Sequence, residues 1–256
     1  MKLSRLLLTS LFLLPLLAAP AWATEHSIGL GAGFTPDYEG SDDYQGVPLL
    51  MLKGRYDSGR SFALTGTNLR VNIVPSHDYS FGPILNYRHG RDDVENDRVD
   101  AMEDIDAAFE LGFYGSINLN SWLLSAEFLA DVSGEHDGML GKASIGYRWK
   151  VSTDLAVIPR VFTTYADGDY METYFGVNQG NRGTSGLPGY SADKGFKDAG
   201  VNLAVDYTPW EKWGISGLVS YSALLGDAKD SPIVDDEGDD QQLFFGVMGT
   251  YRWGSR

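Results

Sequence analysis

Residues 241–253 read Gln-Gln-Leu-Phe-Phe-Gly-Val-Met-Gly-Thr-Tyr-Arg-Trp, and in an extended chain they divide between two faces. The odd-numbered residues from Leu243 to Trp253 are apolar or glycine, while the even-numbered residues include Gln242, Thr250 and Arg252. Successive strand side chains point to opposite faces, so this stretch predicts a strand with one apolar and one polar face. The apolar face would cover a core in a soluble sheet, but it would face lipid in a membrane barrel.

The same alternation recurs along the chain, for example in residues 139–149. Together with the turn-forming residues between segments, it predicts twelve strands. They cover residues 25–34, 46–56, 60–65, 68–74, 78–89, 105–118, 121–133, 138–150, 154–164, 198–208, 213–225 and 240–253. Two of these segments, 60–65 and 68–74, are short for a membrane span of about nine to eleven residues, so one bulged strand is an alternative there. Residues 170–177 could form a further strand.

The connections between the predicted strands differ in length at the two ends. Outer-membrane barrels have an even number of strands, short periplasmic turns and longer external loops. If the first strand rises from the periplasm, the short connections lie on the periplasmic side, at 57–59, 75–77, 120–121, 151–153 and 209–212. The long ones are then external, at 35–45, 90–104, 165–197 and 226–239. This separation is typical of a membrane barrel.

Tryptophan supports the same interpretation. Beyond Trp22, the chain contains five tryptophans, each at the periplasmic end of a predicted strand: Trp122, Trp149, Trp210, Trp213 and Trp253. Indole rings favour the boundary between lipid tails and headgroups, so a one-sided ring indicates a membrane interface. The sequence therefore predicts an all-β fold, a closed antiparallel transmembrane β-barrel of about 12 strands with long external loops.

The N-terminus has the composition of a secretory signal peptide. Lys2 and Arg5 precede the apolar stretch 6–18, and Ala21-Trp22-Ala23 forms a small-x-small cleavage site. We therefore expect a cleaved signal peptide at residues 1–23 and a barrel domain at residues 24–256. No other stretch approaches eighteen uninterrupted apolar residues, which argues against a transmembrane helix.

Composition narrows the possible functions. The 256 residues contain no cysteine, which excludes disulfides and thiol chemistry, and carry a net charge of −15. Loss of Lys2 and Arg5 with the signal peptide would make this charge −17. Such acidity argues against nucleic acid as a partner, because phosphates would be repelled.

Few residues suggest catalysis or metal binding. His136, in the predicted turn Gly134-Glu135-His136-Asp137 near Ser133, is the best histidine for a Ser-His-acid site, but a solvated turn is the preferred interpretation. The acidic run 235–240 could bind a divalent cation, and we prefer a solvated loop there and at 91–98. The sequence indicates no cofactor, no metal site and no enzyme.

The polar face of the predicted strands carries charges of both signs. Mixed signs favour a lumen that is narrow or filled by its own ion pairs over a wide selective pore. The predicted lumen-facing charges are Lys53, Arg55, Arg70, Arg88, Glu110, Glu127, Asp131, Lys142, Arg148, Arg160 and Asp206.

Three external segments carry sequence motifs in a fixed order. The first is Pro36-Asp37-Tyr38-Glu39-Gly40-Ser41-Asp42-Asp43, the second Tyr170-Met171-Glu172-Thr173-Tyr174-Phe175-Gly176-Val177, and the third Asp227-Ala228-Lys229-Asp230-Ser231-Pro232-Ile233-Val234. Together they resemble the MipA/OmpV family of Gram-negative outer-membrane proteins, over essentially the whole chain after the signal peptide.

This resemblance implies a protein of the cell outer membrane, embedded in lipid and without known catalysis. One branch of the family is described as a scaffold that joins a lytic transglycosylase to a bifunctional penicillin-binding protein in murein synthesis, and others are described as surface antigens. We therefore expect a non-enzymatic scaffold, with a passive porin-like channel or a surface adhesin as alternatives. The motif residues that could form a plug or a contact surface are Asp37, Tyr38, Glu39, Gly40, Tyr170, Tyr174, Phe175, Gly176, Val177, Asp230, Ser231 and Pro232.

The second motif is apolar within an otherwise polar loop. An exposed aromatic patch is a liability for aggregation, so residues 174–177 should fold inward or bind something. A lid or plug and plain packing under the loop are equally compatible with the sequence. Residues 180–189, rich in glycine and polar residues, are predicted to be a flexible continuation.

Overall fold

A computed structural model describes residues 25–254 of the chain. The predicted signal peptide, residues 1–23, lies outside these residues. Thirteen strand segments form one sheet. In chain order they are β1 (Glu25–Pro36), β2 (Tyr44–Arg55), β3 (Ser61–Thr65), β4 (Asn68–Asn72), β5 (Tyr79–Arg88), β6 (Ala108–Leu119), β7 (Trp122–Asp131), β8 (Met139–Tyr147), β9 (Trp149–Lys150), β10 (Leu155–Ala166), β11 (Gly195–Tyr207), β12 (Trp213–Leu224) and β13 (Gln241–Gly254). Since β8 and β9 are one strand interrupted at Arg148, the wall has twelve strands.

The sheet closes on itself. Each strand pairs antiparallel with its neighbours along the chain, and β1 pairs with β13, with Ala32 opposite Val247. The pairing of β10 with β11 completes the circle. Closure removes the free edges that an open sheet would expose, and within lipid it satisfies the backbone hydrogen bonds. The prediction of a closed antiparallel barrel of about 12 strands is confirmed.

Two questions that the sequence left open are resolved. Residues 61–65 and 68–72 form a separate hairpin, in which Phe62 pairs with Val71, so the strand number stays even. Residues 170–177 add no strand to the wall, because most of them belong to a helix. The alternation fails there because this segment packs within a loop and does not span the membrane.

The two faces of the wall have opposite character around the whole barrel. In β13, Leu243, Phe245 and Val247 face outward and are 40–45% exposed, which is the apolar face seen in the sequence. The polar alternates face the lumen, and the registers keep the same parity from strand to strand. Gly112 of β6 faces inward where the neighbouring strand β7 comes very close. A Cβ at this position would lie 1.7 Å from the carbonyl oxygen of Phe128.

The tryptophans lie outside the barrel at the end with the short turns. All five in the described chain are 43–60% exposed, and Trp122 packs edge-on against Tyr147. A ring of exposed indoles marks a lipid interface, so this is the end that we take as periplasmic.

The opposite, external end carries five short helices. They are α1 (Asp97–Asp100), α2 (Gly168–Phe175), α3 (Gln179–Ser185), α4 (Gly226–Lys229) and α5 (Pro232–Asp235). Within residues 25–254, no helix is long and apolar enough to cross a membrane. We call the external segments 37–43, 89–107, 132–138, 167–194 and 225–240 the cap.

Candidate functional site: the external cap and the lumen beneath it

The cap has a hydrophobic interior of its own. Tyr170, Phe175 and Ile233 are fully buried, although all three belong to loops and not to the barrel wall. The buried side chains form two clusters. One contains Ile105, Leu140, Ala166, Tyr170, Met171, Tyr174, Phe175, Ala192, Leu224, Ala228 and Val234. The other contains Tyr38, Val99, Met102, Val177, Leu187 and Ile233. External loops with such an interior form a folded layer over the barrel mouth.

Helix α2 places the second motif at the centre of this layer. Asp167 begins the helix, because its side chain accepts a 3.1 Å hydrogen bond from the backbone N–H of Tyr170. Tyr170 and Tyr174 then share one face, and their rings lie 4.5 Å apart. Residues 174–177 are all buried, so the prediction that they fold inward is correct.

Glu39, from the first motif, joins the cap to the wall. Its Oε2 accepts a 2.7 Å hydrogen bond from the hydroxyl of Tyr170. Its Oε1 lies 3.1 Å from Nζ of Lys197, on β11, and 3.4 Å from Nη1 of Arg88, on β5. The guanidinium of Arg88 also lies over the Tyr170 ring, 4.9 Å from its centroid. One carboxylate therefore connects a loop, a helix and two strands.

The surroundings of Glu39 stabilise its charged form. Burial on its own would raise the pKa of the Glu39 carboxyl, but Lys197, Arg88 and the Tyr170 hydroxyl outweigh this and lower it below its ordinary value. Burial raises the pKa of Tyr170 well above its ordinary value, so this hydroxyl keeps its proton and acts as the donor. The junction is therefore an ionised carboxylate among cations and a neutral phenol.

A second carboxylate lies on the wall below the first. Glu110 is fully buried and accepts 2.7 Å hydrogen bonds from Nε of Arg88 and Nδ2 of Asn86. Nε2 of His136 lies 3.2 Å from Oε1 of Glu110, without the alignment of a hydrogen bond. Arg88 thus bridges the two carboxylates, Glu39 above and Glu110 below.

The prediction of a solvated turn at His136 is wrong. Its side chain is buried against the rings of Tyr170 and Tyr174. The turn folds in because Oδ2 of Asp131 accepts hydrogen bonds from three consecutive backbone N–H groups, at residues 135–137. His136 is not arranged for Ser-His-acid catalysis, since the Ser133 hydroxyl donates to Asp131 and Nδ1 of His136 accepts from Gly138.

The first motif has glycine at position 40 because the backbone there lies close to Val234 within the cap. Gly40 has φ +100°, and a Cβ there would lie 2.4 Å from Cγ2 of Val234. Only glycine adopts this backbone conformation without strain. Beside it, Tyr38 is buried, which raises its pKa to about 12, and Asp37 accepts a 3.0 Å hydrogen bond from the backbone N–H of Glu95.

The third motif holds α2 from above. Ser231 begins α5, and its hydroxyl donates a 2.6 Å hydrogen bond to the carbonyl oxygen of Phe175. Pro232 occupies the first turn, where a missing N–H costs nothing, and it is buried. Asp230 is exposed, as is its neighbour Lys229, so this part of the motif stays outside the cap interior.

Two loop predictions need correction. Residues 91–98 are not simply solvated, because Arg91 is buried and donates a 3.0 Å hydrogen bond to the carbonyl oxygen of Tyr174. Residues 180–189 were predicted to be flexible, but much of this stretch belongs to α3, which the Asn178 side chain caps and Gly186 ends at φ +71°. In the acidic run, Asp235, Asp236 and Asp239 are exposed as expected, but Glu237 is half-buried and pairs with Arg98, and Asp240 pairs with Lys229.

The lumen below the cap contains solvent-sized space. A cavity of about 490 Å³ lies directly beneath the cap, where Glu39, Tyr174 and Lys197 line it. A second cavity of about 880 Å³ lies at the periplasmic end, beside the turn that contains Ser152 and Asp154. The registers place ten of the eleven predicted charges on the lumen face, and the eleventh, Arg148, lines the periplasmic cavity. The lumen is therefore neither tightly filled nor uniformly charged.

Sequence reasoning missed Lys197 and Asp198 as site residues. A register shift between Thr164 and Tyr165 of β10 turns Lys197 inward, and its Nζ lies 2.6 Å from Oδ2 of Asp198. One extra residue in a strand cannot be recognised from the local alternation of apolar and polar residues, so the sequence did not predict that Lys197 faces inward.

A closed antiparallel barrel with an apolar outer face, a one-sided indole ring and a folded cap defines an outer-membrane β-barrel protein. A model of the family described as MltA-interacting protein MipA matches residues 28–253. The chain belongs to this family, and the resemblance seen in its motifs is confirmed.

Two relatives named as outer membrane proteins agree with this class. The outer membrane protein YiaT of Escherichia coli O157:H7 is 25% identical over 233 residues, which cover 89% of this chain and 92% of the relative. Outer membrane protein Omp26La of Vibrio anguillarum is 28% identical over 201 residues, 76% of this chain and 75% of the relative. The NanC porin structure matches 88% of this chain and 98% of its own at 10% identity, with a TM-score of 0.46. The family and the two relatives show that the chain is a protein of the outer membrane.

Proposed function

We propose that this chain is a non-enzymatic scaffold of the outer membrane that binds murein-synthesis enzymes from the periplasm. The partners would be a lytic transglycosylase and a penicillin-binding protein. The family description, MltA-interacting protein, supports a binding role of this kind. The folded cap supports it as well, because a barrel closed on the outside is accessible mainly from the periplasm.

The single observation that carries the proposal is the contrast between the two ends. At the external end, loops with fully buried Tyr170 and Phe175 cover the mouth. At the periplasmic end, the turns are short and a cavity of about 880 Å³ opens beside them. A partner in the cell envelope would therefore contact the periplasmic rim, formed by the turns 56–60, 73–78, 120–121, 151–154 and 208–212.

A binding assay with rim and cap variants tests this role. The purified barrel is immobilised in a nanodisc and mixed with the purified transglycosylase or the penicillin-binding protein. We expect charge reversals on the rim, Asp57→Lys with Lys212→Glu, to weaken binding at least tenfold. The matched reversals Asp92→Lys with Lys194→Glu, both exposed on the cap, should leave it unchanged. No binding by the unmodified barrel, or equal loss in both variants, would contradict the scaffold.

The cavities favour a channel as the second candidate function. Space of about 490 Å³ directly beneath the cap would become continuous with the outside if α2 left its place. In planar bilayers we then expect the intact protein to be closed and a variant lacking residues 170–177 to conduct. Stable conductance steps from the intact protein would argue against the closed scaffold, and a silent deletion variant would argue against the channel.

A further inference from the structure

The periplasmic cavity is strongly basic in an acidic protein. Its volume is about 880 Å³, while the chain as a whole carries a net charge of −15. Two carboxylates, Asp154 and Asp206, lie among its lining residues. Five cationic side chains line it, namely Lys53, Arg55, Arg148, Lys150 and Arg252.

These cations come from separate parts of the wall. Lys53 on β2 and Arg252 on β13 both pair with Ser27 of β1, so they flank the same level of the lumen. Arg148 and Lys150 come from the interrupted strand β8–β9. Three strands that are distant in sequence, β2, β8–β9 and β13, thus bring positive charge to one cavity.

The positive charge of the cavity is only partly compensated by the protein. Asp206 accepts a 2.8 Å hydrogen bond from the hydroxyl of Ser216. Across residues 25–254, neither Lys53, Arg148 nor Arg252 forms an ion pair with a carboxylate. At the cap, in contrast, Lys197 and Arg88 both contact Glu39. Like charges held together inside low-dielectric walls attract anions from solution.

The rest of the lining is suited to hydrogen bonding. Hydroxyl groups surround the cations, from Ser27, Ser152, Thr153, Thr208, Ser216 and Thr250. Arginine and lysine bind carboxylate and phosphate oxygens through charge-assisted hydrogen bonds, and hydroxyls can accept from or donate to further polar groups of a ligand. The volume also falls within the range of about 300–1,000 Å³ that is usual for small-molecule sites.

We propose that this cavity is a binding site for a small hydroxylated anion with two or more carboxylate or phosphate groups, which enters from the periplasm. Lys53, Arg148 and Arg252 bind its charged groups, and the surrounding serines and threonines bind its hydroxyls. The site does not depend on the scaffold role, since a small anion needs no protein partner, although Ser152, Asp154 and Thr208 also belong to the periplasmic rim.

Calorimetry on the purified full-length barrel in non-ionic detergent tests the site. Citrate is the carboxylate probe, pyrophosphate the phosphate probe and glucose the uncharged probe, each at low ionic strength. The double variant Lys53→Gln with Arg148→Gln removes two cations from the cavity. Lys194→Gln removes a cation that is exposed on the cap, and the single variant Arg252→Gln serves as a milder change within the cavity.

We expect citrate or pyrophosphate to bind the unmodified protein and glucose not to bind. The double variant should weaken anion binding at least tenfold and Arg252→Gln at least threefold, while Lys194→Gln stays within twofold. The preferred probe identifies whether carboxylate or phosphate is favoured. Absence of binding by both anions would overturn the proposal. So would an equal loss in Lys194→Gln, which would indicate general electrostatic attraction only.

Discussion

The hydroxyl of Tyr170 donates a 2.7 Å hydrogen bond to Oε2 of Glu39, a residue 131 positions earlier in the chain. The two residues belong to the first and second motifs of the family. Lys197 and Arg88 hold the same carboxylate from the wall. One charged side chain therefore ties α2 to the barrel wall, which gives a point at which a single substitution can loosen the cap.

Replacing Glu39 with glutamine should loosen the cap. The amide can still accept from Tyr170, but it leaves Lys197 and Arg88 without their shared anion. Breaking a fully buried ion pair costs about 3–5 kcal/mol, and Glu39 keeps 33% of its side-chain exposure, so we expect about 1–2 kcal/mol. Met171, which is 1% exposed, reports cap opening through its oxidation by peroxide, measured by mass spectrometry.

The expected result is an oxidation rate of Met171 about tenfold higher than in the unmodified protein, since about 1.4 kcal/mol corresponds to a factor of ten. Met139, which is 48% exposed, serves as the internal reference. Glu95→Gln makes the same charge change on an exposed part of the cap and should have no effect. Unchanged oxidation of Met171 in Glu39→Gln would show that this carboxylate does not hold the cap closed.

Acidification should open the cap through the same residue. The folded protein lowers the pKa of Glu39, so its contribution to closure is complete above the ordinary value of 4.5 and is lost as pH falls through the lower folded value. We expect Met171 oxidation to rise as pH decreases from 5 towards 3. Glu39→Gln should be less sensitive to pH over this range. An identical pH response in both proteins would assign the effect to another group.

Phe175→Ala should destabilise the cap without destabilising the barrel. Phe175 is fully buried within the cap, and a buried Phe→Ala change typically costs about 3–5 kcal/mol. We expect fast oxidation of Met171, with the thermal unfolding of the strands, followed by circular dichroism, nearly unchanged. Phe34→Ala is the matched control, since Phe34 faces outward and is 59% exposed. A large loss of strand stability in Phe175→Ala alone would mean that cap and barrel unfold as one unit.

The barrel was predictable because its signal is local. Alternation within each strand does not require knowledge of its partners, and every predicted strand boundary lies within three residues of the observed one. Outer-membrane barrels have an even number of strands, and indole rings favour the lipid interface, so the strand number and the positions of Trp122 and Trp253 could be predicted as well. The two short segments form a hairpin because β3 also pairs with β2 and β4 also pairs with β5, so the ladder continues on both sides.

The cap was less predictable because its contacts are distant in sequence. Four-residue helices such as α4 and α5 are too short for a helical period to appear. The burial of His136 depends on Asp131 and on rings contributed by α2. The motifs indicated which segments matter, but the junction at Glu39 appears only once Lys197 has been turned inward by the register shift.

Gly40→Ala should disrupt the first motif. The residue has φ +100°, and a Cβ would approach Cγ2 of Val234 to 2.4 Å, so strain and overpacking act together. Each of these effects typically costs about 1–3 kcal/mol. We expect faster oxidation of Met171 and no loss of the barrel. Gly183→Ala is the control, because a Cβ there meets nothing within 4 Å. Similar behaviour of the two variants would refute the role of the Gly40 conformation.

Val247→Lys tests the assignment of the two faces. Val247 faces outward near the middle of β13, is 40% exposed and pairs with Ala32. A lysine on the lipid face at the membrane midplane costs about 2–4 kcal/mol, whereas the lumen tolerates charge. We expect a lower midpoint in urea unfolding of the protein in lipid vesicles. Met248→Lys, one residue further on and facing the lumen, should lower the midpoint less. The reverse order would place lipid on the other face and would exclude the barrel orientation described above.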